Sequence, residues 1–119
     1  MVRHIGSHRL DSLKRGDLVT VALQGDQGKP RPALIVRSDS YADLIAVTIL
    51  PITSTLMDTP GLRVTIEPAA ENGLTVRSQI MVDKPQTPPL TKIGSVIGAL
   101  DRQTMRAVDR AMLLYLGLG

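Results

Sequence analysis

The apolar positions of the chain follow strand patterns over most of its length. Five runs have the length of a β-strand and are separated by turn-forming residues; they cover residues 18–23, 31–37, 44–52, 62–67 and 76–83. The third run is almost continuously apolar, which is typical of a strand buried on both faces. The fourth run alternates apolar and polar residues, which indicates a strand with one exposed face.

The C-terminal segment has the pattern of an amphipathic helix. Its apolar residues recur at intervals of three and four positions, at Met105, Val108, Met112 and Leu116. Asp101 is a good N-cap, and Gly117 is a natural C-terminal stop. Five or six short strands with one terminal helix predict a mainly β fold, a small bent antiparallel sheet or barrel capped by the helix.

Length and composition limit the class of protein. A chain of 119 residues suits one domain, and we predict a basic, flexible leader over residues 1–15 followed by a single domain over residues 16–119. No apolar run approaches the length needed to cross a bilayer, and the N-terminus lacks the apolar core of a secretory signal. These features predict a cytoplasmic protein with no membrane partner. The net charge of +3 modestly favours a polyanionic partner.

The residue inventory excludes several kinds of chemistry. The chain has no cysteine, and its two histidines, His4 and His8, both lie in the predicted leader. We therefore predict neither a metal site nor a cofactor. With Tyr41 and Tyr115 as its aromatic residues, the chain cannot build a base-stacking platform. Any contact with nucleic acid must rest on charge and hydrogen bonds.

Two stretches carry the candidate chemistry. Arg31 stands between Pro30 and Pro32 at the start of an apolar run, so its guanidinium is presented from a stiff backbone. Thr53, Ser54 and Thr55 end another apolar run with three hydroxyls. Together the two stretches predict a site that handles phosphate, with Lys29, Ser54 and Thr55 as substrate-binding residues. The alternative is structural, with Arg31 as an edge-strand residue and the hydroxyls capping a strand.

These groups suit RNA cleavage without a metal ion, in which the 2′-hydroxyl of the substrate attacks the adjacent phosphorus. Arg31 is the candidate for balancing the charge that grows on the phosphate, and Thr53 for anchoring a non-bridging oxygen. Asp83, at the end of the fifth run, is the nearest plausible carboxylate for taking the 2′-hydroxyl proton or orienting the ribose. Its alternative is a solvated or turn-capping carboxylate.

Four motifs resemble the MazF/PemK-type toxins of bacterial type II toxin–antitoxin systems. They are Gly16-Asp17, the stretch 29–36, Pro51-Ile52-Thr53-Ser54, and the ending 108–118. The resemblance implies a small SH3-like β-barrel of the MazF/PemK/CcdB type with a C-terminal helix. It also implies a homodimer and metal-independent, sequence-specific cleavage of single-stranded RNA (mRNA). The arginine and the threonine of the family motif fall on Arg31 and Thr53, and an acidic residue of some members falls on Asp83.

The same resemblance implies the partners of the chain. They are a cognate antitoxin protein and single-stranded RNA, with operator DNA bound only by the toxin–antitoxin complex. Two family features are missing, because Met81 stands where some members have an arginine and residues 24–27 offer no histidine. These gaps concern the assignment of acid and base more than the overall activity.

Two other functions fit the same general fold. One is a non-catalytic toxin that binds DNA gyrase, but such relatives use a C-terminal tryptophan, and this chain has none. The other is an SH3-like adaptor, which needs an aromatic groove for proline-rich ligands. The near absence of aromatic residues argues against the adaptor.

Overall fold

The computed structural model describes residues 3–4, 13–23 and 29–119, and these form one antiparallel sheet with a helix at the end of the chain. The elements are β1 (Arg3–His4), β2 (Asp17–Val21), β3 (Arg31–Ile35), β4 (Ile49–Thr53), β5 (Arg63–Ile66), β6 (Ser78–Met81), β7 (Ile93–Ala99) and α1 (Arg102–Tyr115). Two short 3-10 helices cover Asp39–Tyr41 and Leu90–Lys92. The strand order is β1-β7-β2-β3-β4-β6-β5.

This architecture confirms the predicted mainly β fold with a C-terminal helix. The sheet is open rather than closed into a barrel, because β1 and β5 lie at its two ends. Apolar side chains cover both of its faces. One core cluster contains Val19, Ala33 and Ile35, and the other contains Leu18, Leu34 and Val108 of the helix. The central strands are therefore buried on both sides, as predicted for the third apolar run.

The third run is shorter as a strand than its sequence predicts. β4 begins at Ile49, and the preceding residues Leu44 and Ile45 are exposed. The segment before β4 pairs with a proline-rich stretch of the chain instead, since the Val47 N–H donates to the Pro88 carbonyl at 3.0 Å. A continuous apolar run does not show whether a segment pairs with a neighbouring strand or with a proline-rich stretch, because both partners provide apolar contacts.

The N-terminal boundary of the domain also differs from the prediction. Leu13 is 1% exposed and belongs to a core cluster. The Arg15 N–H donates to Asp39 Oδ1 at 2.7 Å, and the guanidinium of Arg15 binds Asp109 of the helix at 2.6 Å. Residues 13–15 therefore belong to the folded domain rather than to a leader. Within the predicted leader, residues 3–4 pair with β7, and the other ten positions lie outside the described residues.

The helix begins and ends where its sequence predicts, within two residues. Asp101 caps it by accepting the Thr104 N–H at 2.7 Å. This backbone bond, together with one from the Thr104 hydroxyl, holds the pKa of Asp101 below its ordinary value of 3.8. Gly117 ends the helix with a φ of 74°, a conformation that costs glycine little. No helix in the described part of the chain is long and apolar enough to span a bilayer.

Candidate active site

The two predicted motifs meet in one cleft. Its volume is about 490 Å³. One wall contains Arg31 and the hydroxyl residues 53–55, and the other contains residues 74–76, Ser78 and Met81. Arg31 and Thr53 therefore lie in the same cleft, and their shared role in binding a ligand stays a prediction.

Strand pairing explains why Arg31 and Thr53, which are 22 positions apart in the sequence, lie together. β3 and β4 are antiparallel neighbours, with Ala33 opposite Pro51. Arg31 lies two residues before Ala33 on β3, and Thr53 lies two residues after Pro51 on β4, so each projects to the same face as that pair. Residues directly opposite each other in an antiparallel pair project to the same face. The start of β3 and the end of β4 thus bring a cation and a hydroxyl to one edge of the sheet.

The hydroxyl of Thr53 is oriented by the backbone that follows it. Its Oγ1 accepts the Thr55 N–H at 3.1 Å, a turn typical of threonine at the end of a strand. A hydroxyl that accepts one bond still has its own hydrogen to donate. Ser54 and Thr55 are exposed beside it. This wall of the cleft can donate several hydrogen bonds to a phosphate oxygen.

The opposite wall begins directly after a tight turn that the sequence analysis did not connect with the site. Asn72 is buried, and its Oδ1 accepts the N–H groups of Ala69 and Leu74 at 3.1 and 2.9 Å. Gly73 follows with a φ of 73°, and a Cβ at this position would lie 2.2 Å from the Ile97 carbonyl oxygen. Asn72 and Gly73 together form this turn. Its role is to fix the start of the segment that faces Arg31 and Thr53.

Two of the predicted site residues do not line the cleft. Asp83 follows β6, and its Oδ2 lies 3.4 Å from Lys84 Nζ. Lys29 is exposed and precedes β3. The residues that line the cleft in the described part of the chain include no carboxylate. The structure thus brings together Arg31, Thr53, Ser54 and Thr55 and leaves Lys29 and Asp83 outside.

Metal-ligand types are not concentrated anywhere in the described ranges. No group of three or more histidine, cysteine, aspartate or glutamate side chains there is close enough to hold a metal ion. What the residues lining the cleft offer a ligand is the guanidinium of Arg31 and a row of hydroxyls.

Gln79 and Arg63 contact the loop after β4, and sequence reasoning assigned neither residue a role. Gln79 is 7% exposed, which is unusual for a side chain with two polar ends. In the sequence it stands between Ser78 and the apolar Ile80 within a predicted strand. A single glutamine in such a run carries no signal that distinguishes it from an exposed strand residue.

The structure is an open antiparallel sheet with a terminal helix, and one cleft of it is lined by an arginine and a strand-end threonine. Over residues 14–116 the chain matches the family of PemK-like, MazF-like toxins of type II toxin–antitoxin systems. The chain belongs to this family. The resemblance found in the sequence motifs is therefore confirmed, and the chain is the toxin component of such a system.

Individual relatives agree with the family. A protein of Mycolicibacterium smegmatis named probable endoribonuclease MazF is 39% identical over 107 residues, which are 89% of this chain and 98% of that protein. The solved structure of the Mycobacterium tuberculosis toxin MazF-mt6 is 30% identical with a TM-score of 0.74, covering 87% of this chain and 98% of that one.

A mycobacterial endoribonuclease solved in complex with its cognate antitoxin has a TM-score of 0.76 at 23% identity, covering 90% of this chain and 97% of that one. At this level of identity the likeness shows the shared fold.

Proposed function

We propose that the chain cleaves single-stranded RNA, without a metal ion, in the cleft lined by residues 31, 53–55, 74–76, 78 and 81. The family assignment and the M. smegmatis relative make the chain an endoribonuclease of the MazF type. The observation that carries the proposal is that β3 and β4 bring Arg31 and Thr53 into one cleft.

The reaction we propose uses the 2′-hydroxyl of the substrate as nucleophile. The 2′ oxygen forms a bond to phosphorus and loses its proton, while the bond from phosphorus to O5′ breaks and O5′ gains a proton. The products are a 2′,3′-cyclic phosphate and a 5′-hydroxyl. Because the substrate supplies the nucleophile, the protein must position the phosphate and stabilise the charge of the transition state.

The roles of the two central residues follow from their chemistry. Arg31 donates N–H groups to the phosphate oxygens and balances the charge that grows on them. Thr53 donates its hydroxyl to a non-bridging oxygen, and Ser54 and Thr55 bind the backbone beside it. Asp83 enters the proposal only as a residue near the site, because a carboxylate beside Lys84 and outside the cleft has to move to reach the 2′-hydroxyl.

The proposed function is tested by incubating the purified protein with a long single-stranded RNA in excess EDTA. We expect discrete fragments, because the residues of the cleft act on the phosphate without a divalent ion. The same RNA incubated with an Arg31→Ala preparation is the control for a contaminating nuclease. Intact RNA in both reactions, or cleavage only when Mg²⁺ is added, would contradict the proposal.

We further propose that the toxin works as a homodimer in the cytoplasm. The last turn of α1 and the residues after it leave apolar side chains exposed, among them Leu113, Leu114, Leu116 and Leu118. Met112, Leu113 and Leu116 line a mainly apolar hollow there, beside the Arg15–Asp109 ion pair. A surface of this kind at the end of a helix favours a second copy of the chain, because association removes the apolar area from water.

Light scattering at micromolar concentration is expected to give about twice the 12.8 kDa mass of the chain. A Leu113→Glu substitution should shift the mass toward that of the monomer, because it places a charge in the apolar hollow. Leu44→Glu changes an equally exposed leucine far along the chain and is the matched control. A monomer mass for the unaltered protein would contradict the dimer.

The remaining partner we propose is a cognate antitoxin. A structural neighbour of this chain was solved in complex with its own antitoxin. The net charge of +3 favours an acidic polypeptide that folds on binding, because such a segment covers a large surface and complements the charge. Operator DNA is a partner of the toxin–antitoxin complex in this proposal and not of the toxin alone.

A further inference from the structure

We propose that Gln79 is a positioning residue for RNA cleavage, which acts by holding the loop after β4 in the conformation that aims its hydroxyls into the cleft. This inference rests on the proposed endoribonuclease function. It assigns a role to a side chain outside the cleft. Gln79 does not line the cleft, and its amide contacts residues of the loop.

The location of Gln79 puts it beside the site without access to the substrate. β6 pairs with β4 so that Gln79 lies opposite Thr53, and it pairs with β5 so that Gln79 lies opposite Thr65. Gln79 is 7% exposed. A polar side chain buried to this degree is stable only if its donors and acceptors are satisfied.

Both the oxygen and the nitrogen of the Gln79 amide form hydrogen bonds with the loop. Its Oε1 accepts the Met57 N–H at 3.0 Å, and its Nε2 donates to the Met57 carbonyl at 3.1 Å. Nε2 also donates to Thr65 Oγ1 at 3.3 Å. One side chain thus binds both backbone groups of a loop residue, in the way that a neighbouring strand would bind them.

Arg63 extends the same network toward the hydroxyls. Its guanidinium donates to Gln79 Oε1 at 3.3 Å and to the Thr55 carbonyl at 3.2 Å. A second guanidinium nitrogen lies 3.3 Å from Met57 Sδ. The loop is therefore fixed at Thr55 and at Met57, and Thr55 in turn donates the N–H that orients the Thr53 hydroxyl.

A glutamine is the appropriate side chain here because the loop presents a donor and an acceptor together. An amide supplies one of each, a carboxylate supplies acceptors only, and a methionine of similar size supplies neither strongly. Loss of the amide leaves the Met57 backbone groups unpaired beside the sheet and releases the loop. A displacement of the reacting groups by about 1 Å is enough to reduce a rate by about a hundredfold.

The test compares Gln79→Met, Gln79→Glu and the unaltered protein in single-turnover cleavage of a short labelled RNA. We expect Gln79→Met to lower the maximal rate by about ten- to a hundredfold, with a smaller change in the RNA concentration that gives half-maximal rate. Gln79→Glu keeps the acceptor for Met57 and Arg63 but loses the donor. Its maximal rate should therefore lie between those of Gln79→Met and the unaltered protein. Gln103→Met, on the exposed side of α1, is the matched control.

A double-mutant cycle separates positioning from general destabilisation. If Gln79 acts through the loop hydroxyls, Gln79→Met costs much less in a Thr53→Ala background than in the unaltered protein. An equal fractional loss in both backgrounds would overturn the inference. So would normal rates for both Gln79 variants. Circular dichroism and thermal unfolding establish that each variant is folded, and Gln79→Glu decides the question if Gln79→Met is not.

Failure of the inference is distinguishable from failure of the proposed function. If the unaltered protein and the Gln103→Met control leave the RNA intact, the endoribonuclease proposal is contradicted, and the positioning role falls with it. If both cleave normally and the Gln79 variants do as well, only the positioning role is contradicted.

Discussion

Arg31→Ala is expected to reduce the rate of RNA cleavage by roughly a hundredfold or more while the protein remains folded. Arg31 is exposed at the start of β3 and lines the cleft, so its removal disturbs no core packing. What it removes is the positive charge that balances the phosphate in the transition state. Thr53→Ala should have a similar effect, because it removes the oriented hydroxyl on the neighbouring strand.

Matched controls come from the surface of the same chain. Arg106→Ala removes an exposed arginine from α1 and so makes the same change in net charge, and Thr91→Ala removes an exposed hydroxyl near β7. Both control variants should cleave RNA at the unaltered rate. Cleavage assays and circular dichroism on the same preparations check the prediction. Unchanged cleavage by a folded Arg31→Ala protein would remove the basis for the site.

A single 2′-deoxy substitution at the cleaved nucleotide is expected to block cleavage at that position completely. Without the 2′-hydroxyl the substrate has no nucleophile, and nothing in the proposed mechanism replaces it. The modified RNA should still bind, because the phosphate contacts of Arg31 and the hydroxyls at 53–55 are unchanged, and it should therefore compete with unmodified RNA.

The control is the same RNA with the deoxy nucleotide placed one position further along. That substrate should be cleaved normally at the original site. Gel analysis of end-labelled RNA distinguishes the two substrates directly. Cleavage of the first substrate at an undiminished rate would show that water or a protein group is the nucleophile.

Much of the fold follows from local signals in the sequence. Apolar runs bounded by turn residues predict the central strands, and the spacing of Met105 and Val108 together with the Asp101 cap predicts the helix. The proximity of Arg31 and Thr53 can also be predicted from the sequence, because the start of one strand and the end of the next lie together in an antiparallel pair. For these elements the local sequence pattern and the observed strand pairing lead to the same arrangement.

The features that the sequence did not reveal depend on contacts between distant segments. The residues before β4 read as a strand, but their hydrogen-bond partner is the segment around Pro88 rather than β3. The second wall of the cleft includes residues 74–76, which follow the turn at Asn72 and are far from Arg31 in sequence. Gln79 has a function only because its amide meets the backbone of Met57 across the sheet. The periodicity of apolar residues along the sequence does not predict such contacts between distant segments.

Asp83 is the opposite case, a residue that the sequence places near the site and the structure places outside the cleft. Its place after β6 and before Pro85 made it the nearest plausible carboxylate in the sequence. The strand ends at Met81, and the turn that follows carries Asp83 away from the cleft lining and beside Lys84. Distance along the chain does not measure distance from a site when a turn intervenes.

The chemistry of the fragment ends tests the central claim most directly. Mass spectrometry of RNA fragments produced in excess EDTA is expected to show a 5′-hydroxyl on one side of each cut. The other side should carry a 2′,3′-cyclic phosphate or the 3′-phosphate that its opening gives. These ends require attack by the 2′ oxygen, which the cleft around Arg31 and Thr53 is suited to assist. Fragments that carry a 5′-phosphate would contradict the account.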